Sequence, residues 1–461
     1  MTAISQLVSK QKQFFQTNKT LDVKWRKANL IKLKNEIIKK ESLIYEALKK
    51  DLNKSEFESY ACEVAMVITE LSHMIKHIDK YSKRQYVKTP VVHFYSRSYI
   101  YQNPFGNVLI ISPWNYPFML SISPLIGAIA AGNTCILKPS AYSENTSNAI
   151  KEILNIFEDE YIAVVTGGRE ENKALLDEKF DFIFFTGSST VGKLVAQKAS
   201  NNLTPYILEL GGKSPCFVTK DAKLDLAAKR IAWGKTLNSG QTCVAPDYIL
   251  VEESVKDELI KGLEKYIAKF VTKNSENNSE YTKIVNKNHF NRLCDLIKEE
   301  GLVPQCNETT NQIAPIIIAN ATFDSPCMRE ELFGPIIPII SYKNIEEAFE
   351  KVNSLPRPLA SYLFTSSKAV EAKFTSSLYF GGGCINDTII HLANPEIPFN
   401  GVGNSGMGRY HGKDSYFSFS SPKSILKKST LFDINIRYAP AGNKLKLLKF
   451  MFKYFGNFNL K

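Results

Sequence analysis

Short, largely apolar runs that alternate with helix-length segments constrain the fold of this chain more than any other feature. Five such runs follow one another in the first half, at 108–111, 134–137, 162–165, 182–185 and 207–210. Apolar runs of this length are typical of strands buried on both faces, and their alternation with helices is typical of parallel sheets. The sequence therefore predicts a doubly wound α/β fold.

The second half of the chain repeats this mixture. Strand-like runs occur at 248–251, 316–319, 336–340 and 361–364, and a polar run at 272–281 is typical of a surface loop. A chain of 461 residues is too long for one ordinary core. We therefore expect two large α/β domains with a cleft between them.

Helices and an arm are predicted before the first buried strand. From residue 22 to 51 apolar residues recur at helical spacing, which predicts one amphipathic surface helix, and a second helical stripe runs from 64 to 78. The region 86–101 is rich in β-branched and aromatic residues instead. Such a composition predicts an exposed β-hairpin arm.

Cysteine and histidine spacing indicates neither disulfides nor a metal site. The eight cysteines form no CxxC pair, and no secretory signal precedes them, so we expect reduced thiols in a cytoplasmic protein. His73 and His77 have the spacing of a helical metal pair, but Met74 stands where a zinc protease helix carries glutamate. No metal is therefore expected.

The formal net charge of +12 narrows the classes of partner. A basic chain attracts nucleic acid, an anionic membrane or a phosphorylated cofactor. The lysines are scattered over many helices, and no basic and aromatic signature of nucleic-acid binding is present. Nucleic acid is therefore not an expected partner, and no apolar run approaches the roughly 18 residues that a membrane span requires.

Two glycine-rich segments imitate nucleotide-binding motifs. Segment 187–194 reads GSSTVGKL, but Leu194 offers no oxygen to the magnesium ion of a P-loop. Segment 401–406 reads GVGNSG, yet it follows Pro-Phe-Asn rather than a strand. The first argues against a P-loop enzyme, and the second is predicted to be a glycine-rich loop.

Four further segments pair a reactive residue type with flexible neighbours: PWNYP at 113–117, ELGGK at 209–213, GQTC at 240–243 and ELFGP at 331–335. Each alone is more often structural than functional. Together with GNTCILKPS, FTGSSTVGK and PFNGVGNSGMGRYHGK, in this order, they resemble the aldehyde dehydrogenase superfamily from about residue 5 to residue 430. The last motif, and the APDYILV after the cysteine, are similar to the class 3 branch, whose members often take fatty or aromatic aldehydes.

The resemblance implies an aldehyde dehydrogenase-like fold. A Rossmann-type NAD(P)-binding domain would span 1–207, and an α/β catalytic domain would span 208–415. A β oligomerisation arm would join 82–103 to a strand within 416–436. Because an exposed β edge needs a partner to cover it, the arm implies a homodimer.

The resemblance also implies roles for three catalytic residues. Cys243 would attack a lipophilic aldehyde, fatty, aromatic or terpenoid-derived, and carry it as a thiohemiacetal and then a thioester. The Asn115 side-chain amide and the Cys243 backbone N–H would stabilise the negative oxygen. Glu209 would activate the water that releases the carboxylic acid.

The implied cofactor is NAD or NADP. Lys138 would contact the adenine ribose, and Glu331 would hold the nicotinamide ribose. The remaining contacts would come from Trp114, Gly187, Ser188, Gly192 and Phe333. Many class 3 relatives carry a glutamate where this chain has Ala141. A carboxylate there would repel a 2′-phosphate, so its absence predicts that NADP is tolerated.

The C-terminal segment 443–461 lies beyond these motifs and reads NKLKLLKFMFKYFGNFNLK. As a helix it would place three lysines on one side and an apolar stripe on the other: Lys446, Lys449 and Lys453 against Leu445, Leu448, Phe452 and Phe455. This pattern is typical of a helix lying on an anionic membrane, here its inner face. The alternative is a tail that packs on the enzyme or on a partner subunit.

Three rival functions remain open at this point. A CoA-acylating or reductive member of the superfamily would pass the thioester to a thiol, and Glu209 argues against it because no water then needs a base. A P-loop phosphotransferase is disfavoured by Leu194. A non-catalytic membrane scaffold would have no chemical need for Cys243, Glu209 and Asn115 together.

Overall fold

Residues 2–90, 93, 95–271, 280–431, 433 and 435–455 are described by the structure, which is a computed structural model. Most of the run predicted to be a surface loop, 272–279, lies outside the described residues, as does the end of the tail, 456–461. In the described part of the chain, no helix is both long enough and apolar enough to cross a membrane.

Five α-helices form the N-terminal region: α1 Ala3–Gln16, α2 Val23–Lys39, α3 Glu41–Leu52, α4 Glu56–Ser59 and α5 Ala65–Tyr81, with a π-helical turn at Tyr60–Val64. The prediction of one helix over 22–51 is wrong. The backbone leaves helical geometry at Lys40, where φ is −104° and ψ is 22°. The apolar spacing continues across this break, with Ile37 and Ile44 both buried, so periodicity alone did not reveal it.

The first large sheet contains all five strands predicted in the first half: β3 Asn107–Ile111, β4 Thr134–Lys138, β5 Ile162–Val164, β6 Phe182–Thr186 and β7 Tyr206–Glu209. They lie parallel in the order β5-β4-β3-β6-β7, which is the Rossmann order. Four helices connect them: α6 Met119–Ala131, α7 Glu144–Leu154, α8 Arg169–Asp177 and α9 Ser189–Ser200. The strand order reverses between β3 and β6, where ligand crevices form in such folds.

The second large sheet has six strands: β8 Pro215–Val218, β9 Tyr248–Glu252, β12 Ile316–Ile318, β13 Ile336–Tyr342, β14 Ala360–Phe364 and β15 Gly382–Ile385. They are also parallel, in the order β12-β13-β9-β8-β14-β15. The helices of this half are α10 Leu224–Thr236, α11 Lys256–Phe270, α12 Lys287–Glu299, α13 Ile345–Asn353 and α14 Lys368–Ser377. A short pair, β10 Cys306–Asn307 and β11 Gln312–Ile313, precedes β12. The sequence did not predict β8 or β15, and β15 is half glycine, a composition that is not typical of strands.

The arm is a three-stranded antiparallel sheet, as predicted. Strand β2 Ser96–Pro104 lies between β1 Gln85–Val87 and the C-terminal strand β17 Ser420–Lys428. Ser420 pairs with Pro104 and Lys428 pairs with Ser96, so β17 runs along the whole of β2. Most of β17 is exposed, and its far side forms an edge of the sheet.

Near its end the chain returns to the first sheet. The GVGNSG segment is a loop, as predicted, and leads into β16 Gly406–Met407, which pairs antiparallel with β7. A Cβ at Gly406 would collide with the carbonyl oxygen of Leu208, so glycine permits this close approach. Helices α15 Gly412–Ser418 and α16 Lys444–Phe455 follow. The domain limits at 207 and 415 stay a prediction, since β16 joins the first sheet before residue 415.

Candidate active site

A cavity of about 1040 Å³ opens where the loops after β3, β6 and β7 meet loops of the second sheet. It is lined by nine of the ten residues predicted for the site: Trp114, Asn115, Lys138, Gly187, Ser188, Glu209, Cys243, Glu331 and Phe333. The tenth, Gly192, lies in α9, where an added Cβ would come within 2.6 Å of a methyl group of Leu210. What the structure shows for Gly192 is close packing of α9 against the end of β7.

Cys243 follows a strained turn at the end of α10. Residues 238–240 have φ values between 52° and 73°, in the left-handed region that non-glycine residues rarely adopt. The Asn238 side-chain nitrogen donates to the carbonyl oxygens of Asn115 at 2.8 Å and Gln241 at 2.9 Å. The turn is therefore tied directly to the loop that carries Asn115.

Asn115 is buried at the cavity wall, and its side-chain nitrogen donates to the carbonyl oxygen of Gln241 at 3.1 Å. Beneath it, Lys54 Nζ donates to the Asn115 carbonyl at 3.0 Å and forms a fully buried ion pair with Glu63 at 2.6 Å. Glu63 also accepts the backbone N–H of Phe118 at 2.8 Å. A buried charged pair thus fixes both ends of the Asn115 loop.

Glu209 is the last residue of β7 and is 3% exposed. Neither of its carboxyl oxygens has a hydrogen-bond partner among the described residues. Burial raises the pKa of Glu209 well above its ordinary value. Leaving a buried polar atom unpaired costs about 1–3 kcal/mol, so this arrangement is typical of a functional carboxyl rather than of stable packing.

The Cys243 thiol is half-buried at the wall of the same cavity. Burial, and then the charges of Glu331 and Glu209, raise the pKa of Cys243 to about 12. The thiol is therefore neutral at physiological pH in this state. A thiol in this state must give up its proton before it can act as a nucleophile.

Glu331 reaches the cavity from the loop before β13. A Cβ at Gly211 would collide with its carboxyl group, so glycine in the ELGG motif makes room for Glu331. Burial and the neighbouring charge of Asp247 raise the pKa of Glu331 to about 8. Lys213 forms an ion pair with Asp247 and donates to the Glu330 carbonyl at 3.0 Å, which anchors this loop.

Aromatic rings enclose the neighbouring part of the cavity. Trp114 meets the Phe333 ring edge-on at a centroid distance of 5.4 Å and lies 5.5 Å from the His289 ring. An Arg292 nitrogen donates to the Leu332 carbonyl at 2.5 Å. Helix α12, which carries His289 and Arg292, therefore positions Phe333.

The opposite end of the cavity has features that fit a dinucleotide. Gly187 and Ser188 lie before the first turn of α9, and the Ser188 hydroxyl accepts the Val191 N–H at 3.4 Å. A helix N-terminus favours the negative charge of a pyrophosphate. Lys138 is buried, and its ammonium donates to the carbonyl oxygens of Pro139 at 2.8 Å and Gly167 at 2.7 Å. These residues fit NAD(P).

A third part of the cavity is apolar. Its walls include Met66, Met119, Trp233, Leu237, Ile390 and Phe399. Trp233 and Ile390 line the cavity and are also 37% and 49% exposed, which places them at its mouth. A lipophilic ligand is suited to this end.

His73 and His77, which have the spacing of a metal pair, contact each other and a carboxyl group. Their rings lie 4.4 Å apart, and His73 Nδ1 is 3.4 Å from a carboxyl oxygen of Glu396. No group of three or more side chains suited to hold a metal occurs among the described residues.

Sequence reasoning missed the buried charges that support the site. Lys54 and Glu63 were not predicted, and neither was Lys235, whose pKa burial lowers to about 8. A buried lysine has no signature among 58 lysines and arginines. Lys213 is the exception, because it stands inside the ELGGK motif and could have been proposed from it.

Comparison with known proteins identifies the family of this chain. The model of the Aldehyde dehydrogenase family matches residues 2–425. The chain is 45% identical over 458 residues to the 4,4'-diaponeurosporen-aldehyde dehydrogenase of Staphylococcus aureus, covering 98% of this chain and 100% of that one. It is 41% identical over 450 residues to the dimeric NADP-preferring aldehyde dehydrogenase of Rattus norvegicus, covering 96% and 99%.

A solved structure gives the same result for the fold. The substrate-bound state of Staphylococcus aureus AldH matches with a TM-score of 0.96 and 44% identity, covering 98% of this chain and 100% of that one. Sequence, fold and cavity therefore lead to one conclusion: the chain belongs to the aldehyde dehydrogenase family and is an NAD(P)-dependent enzyme that oxidises aldehydes to carboxylic acids.

Proposed function

We propose that this enzyme oxidises a lipophilic aldehyde through a covalent thioester on Cys243. The observation that carries the proposal is the meeting of three groups in one cavity. They are a half-buried thiol, a buried amide and a buried carboxyl that has no hydrogen-bond partner among the described residues. The apolar end of the same cavity supports the substrate class. The Staphylococcus aureus relative, named for 4,4'-diaponeurosporen-aldehyde, supports it too.

In the first step, the Cys243 sulfur adds to the aldehyde carbon and the carbonyl oxygen becomes negative. The Asn115 side-chain N–H and the Cys243 backbone N–H are the donors for this oxygen. Asn115 is held ready for the role by its bond to Gln241 and by Lys54 beneath it. The thiol proton passes to Glu331, the carboxyl whose charge acts most on Cys243.

The chemistry that bound NAD(P) supplies is the acceptance of a hydride, which leaves a thioester on Cys243. Glu331 and Phe333 would hold the nicotinamide end, and Lys138 the adenine ribose. Gly187 and Ser188 would hold the pyrophosphate at the N-terminus of α9.

In the last step, Glu209 takes a proton from the water that attacks the thioester. Its raised pKa makes the carboxylate a stronger base than an exposed glutamate would be. Because both carboxyl oxygens have no hydrogen-bond partner among the described residues, they are free to bind a water molecule. Glu209 also argues against transfer of the thioester to coenzyme A, which needs no such base.

Oxidation of unbranched aldehydes of increasing length tests the proposed substrate class. We expect kcat/KM to rise about fourfold per methylene until the apolar end is filled, since each buried methylene contributes about 0.8 kcal/mol. NADH and NADPH formation are followed for each aldehyde, with and without coenzyme A. A profile that does not change with chain length would contradict the lipophilic assignment, and turnover only with coenzyme A would contradict hydrolysis.

We also propose a cytoplasmic homodimer assembled through the arm. Strand β17 is exposed along most of its length and forms one sheet edge, and β15 forms an edge of the second sheet. Uncovered edges of this kind are stabilised by pairing with another chain. Sedimentation equilibrium should give twice the chain mass of 51.9 kDa, and a single-chain mass would contradict the dimer.

Helix α16 is the basis for a proposed contact with an anionic membrane. Its apolar side chains are exposed, with Leu445 at 58% and Phe452 at 55%, and no acidic residue follows Asp433 in the sequence. Each lysine near an anionic surface contributes about 1 kcal/mol of attraction. These features suit a helix that lies in the interface, with the lysines toward the head groups.

Deletion of 441–461 is expected to abolish co-sedimentation with vesicles rich in anionic lipid. The full chain should bind these vesicles and not vesicles of neutral lipid. Turnover of a short, water-soluble aldehyde serves as the control for folding and should not change. Equal co-sedimentation of the full and shortened chains would contradict the membrane contact, and a loss of dimers on deletion would favour packing on a partner subunit.

A further inference from the structure

Two of the eight free cysteines lie in direct contact with each other. The Sγ of Cys294, in α12, donates to the Sγ of Cys306, in β10, at 3.7 Å. Twelve positions separate the two residues in the sequence, so spacing alone did not reveal the pair. Neither thiol lines the cavity that holds Cys243, and the proposed reaction uses neither of them.

A disulfide between these two sulfurs requires a small movement. The sulfur atoms of a disulfide lie about 2.05 Å apart, so the pair would have to close by about 1.7 Å. The hairpin formed by β10 and β11 can supply this movement, because each of its strands has only two residues. Helix α12 is held more firmly, since its residues Leu293 and Ile297 are fully buried in the core.

The two thiols differ in their access to solvent. Cys306 is half-buried, whereas Cys294 is 6% exposed. Burial, and then the hydrogen bond to Cys306, raise the pKa of Cys294 to about 12, so Cys294 keeps its proton. An oxidant from solvent therefore meets Cys306 first. An accessible thiol beside a second thiol that can resolve it is typical of redox-sensing cysteines.

Helix α12 contacts the loop before β13, which lines the cavity with Glu331 and Phe333. An Arg292 nitrogen donates to a carbonyl oxygen of this loop at 2.5 Å. Leu293 packs so closely on Gly334 that a Cβ added there would come within 2.5 Å of a leucine methyl group. A shift of α12 would therefore reach the cavity.

The hairpin is linked to the amide of Asn115 by a chain of hydrogen bonds. The Asn311 carbonyl in its turn accepts the Ile284 N–H at 2.8 Å. The adjacent Lys283 carbonyl accepts a side-chain N–H of Gln241 at 3.0 Å. The Gln241 carbonyl accepts the Asn115 side-chain N–H at 3.1 Å. A movement of the hairpin would therefore reach the amide that is proposed to stabilise the negative oxygen.

We propose that Cys294 and Cys306 form a peroxide-sensitive dithiol whose oxidation to a disulfide slows the reaction at Cys243. The disulfide would draw the hairpin toward α12, and both elements contact groups that must be placed accurately. A displacement of about 1 Å at a reacting group lowers a rate by as much as about 100-fold. In reducing compartments, disulfides of this kind are transient. The proposal rests on the proposed function of Cys243.

Hydrogen peroxide is the oxidant, and the reaction has two steps. The Cys306 sulfur gives up its proton and attacks one peroxide oxygen, the O–O bond breaks, and the hydroxide that leaves takes that proton to form water. Cys306 is then a sulfenic acid. The Cys294 sulfur attacks the Cys306 sulfur, the S–O bond breaks, and the hydroxide leaves with the Cys294 proton as a second water. The two thiols lose two electrons and two protons, and the peroxide is reduced to water.

Peptide mass mapping tests the disulfide without any turnover. The reduced enzyme is treated with hydrogen peroxide, and the remaining thiols are alkylated before digestion. We expect one linked pair of peptides, containing Cys294 and Cys306, that is lighter than the two free peptides by two hydrogen atoms. Dithiothreitol should separate the pair. Cys306→Ser and Cys294→Ala should each give no linked pair.

Activity measured on the same samples tests the effect on the reaction. The kcat/KM of the unmodified enzyme for a short aldehyde should fall about tenfold or more as the linked pair forms, and it should return with dithiothreitol. Cys306→Ser should keep its activity under the same treatment. Because Cys306→Ser retains Cys243, it also measures any direct oxidation of the nucleophile.

Cys384→Ser is the matched control. Cys384 is also half-buried, but its Sγ lies 3.6 Å from His391 Nδ1 rather than beside another sulfur. This variant should respond to peroxide as the unmodified enzyme does.

Three outcomes would overturn the proposal: no linked pair, a linked pair with unchanged activity, or equal losses of activity in the unmodified enzyme and in Cys306→Ser. If the reduced enzyme shows no Cys243-dependent oxidation, the proposed function fails, and with it the effect on Cys243. The peptide map still reports on the disulfide in that case, so the two failures are distinguishable.

Discussion

Replacement of Cys243 by alanine is expected to lower kcat by about 10,000-fold or more, because loss of the nucleophile removes the covalent path entirely. Formation of NADH from a saturating aldehyde measures the effect. Binding of NAD should be unchanged, since the thiol lies at the wall of the cavity and is not one of the groups proposed to bind the dinucleotide.

Cys62→Ala is a close control for this variant. Cys62 is also half-buried, lines the same cavity, and has a pKa that burial raises to about 12. It lacks the strained turn and the Asn115 amide that accompany Cys243. We expect Cys62→Ala to keep its activity, and loss of activity in Cys62→Ala with retention in Cys243→Ala would contradict the assignment.

Replacement of Glu209 by glutamine is expected to lower steady-state turnover by about 100- to 10,000-fold, the range for loss of a general base. The first turnover should survive, because glutamine removes the base for hydrolysis and not the nucleophile. Rapid mixing of Glu209→Gln with aldehyde and NAD should therefore give a burst of one NADH per active site. Slow turnover without a burst would mean that Glu209 acts before the thioester forms.

The pH dependence of the hydrolytic step follows from the same carboxyl. Burial raises the pKa of Glu209, so the base is lost by protonation as the pH falls through that raised value. Hydrolysis in the unmodified enzyme should accelerate as the pH rises through this raised pKa. The residual turnover of Glu209→Gln should lack this component.

As the pH rises, Glu209 should make the fold less stable while it makes hydrolysis faster. A carboxyl whose pKa is raised in the folded state destabilises the fold progressively as pH rises from its unfolded value, about 4.3, to its folded value. Glutamine does not titrate, so the Tm of Glu209→Gln relative to the unmodified enzyme should increase as the pH rises from about 4.3 toward the raised pKa of Glu209. Glu70→Gln is the control for the effect on activity. Glu70 is a buried carboxyl that lies outside the main cavity and accepts the Gly412 N–H, so this variant should not lose activity.

The parallel strands could be predicted because their residues are apolar on both faces, as at β3 and β6. The break at Lys40 could not, since the apolar spacing continues through it and the change lies in the backbone. Strand β15 was missed for a different reason. It consists of Gly-Gly-Cys-Ile, and its place in the sheet is decided by pairing with β14 rather than by local preference.

The site could be predicted to the extent that its residues stand in recognisable motifs. Cys243, Glu209 and Asn115 were proposed from such motifs and line one cavity. Lys54 and Glu63, which fix the Asn115 loop, were not, because burial of a charged pair is set by tertiary packing that no local pattern records. The catalytic and cofactor roles of all these residues stay predictions until they are measured.

Intact-mass spectrometry of Glu209→Gln after incubation with an aldehyde and NAD tests the central claim most directly. The thiol and the aldehyde form a thioester with the loss of a hydride and a proton. This reaction adds one acyl group to the chain. The account predicts one such group per chain, on the peptide that contains Cys243, and none in Cys243→Ala. An unmodified chain after the NADH burst, or an acyl group on Cys62, would contradict it.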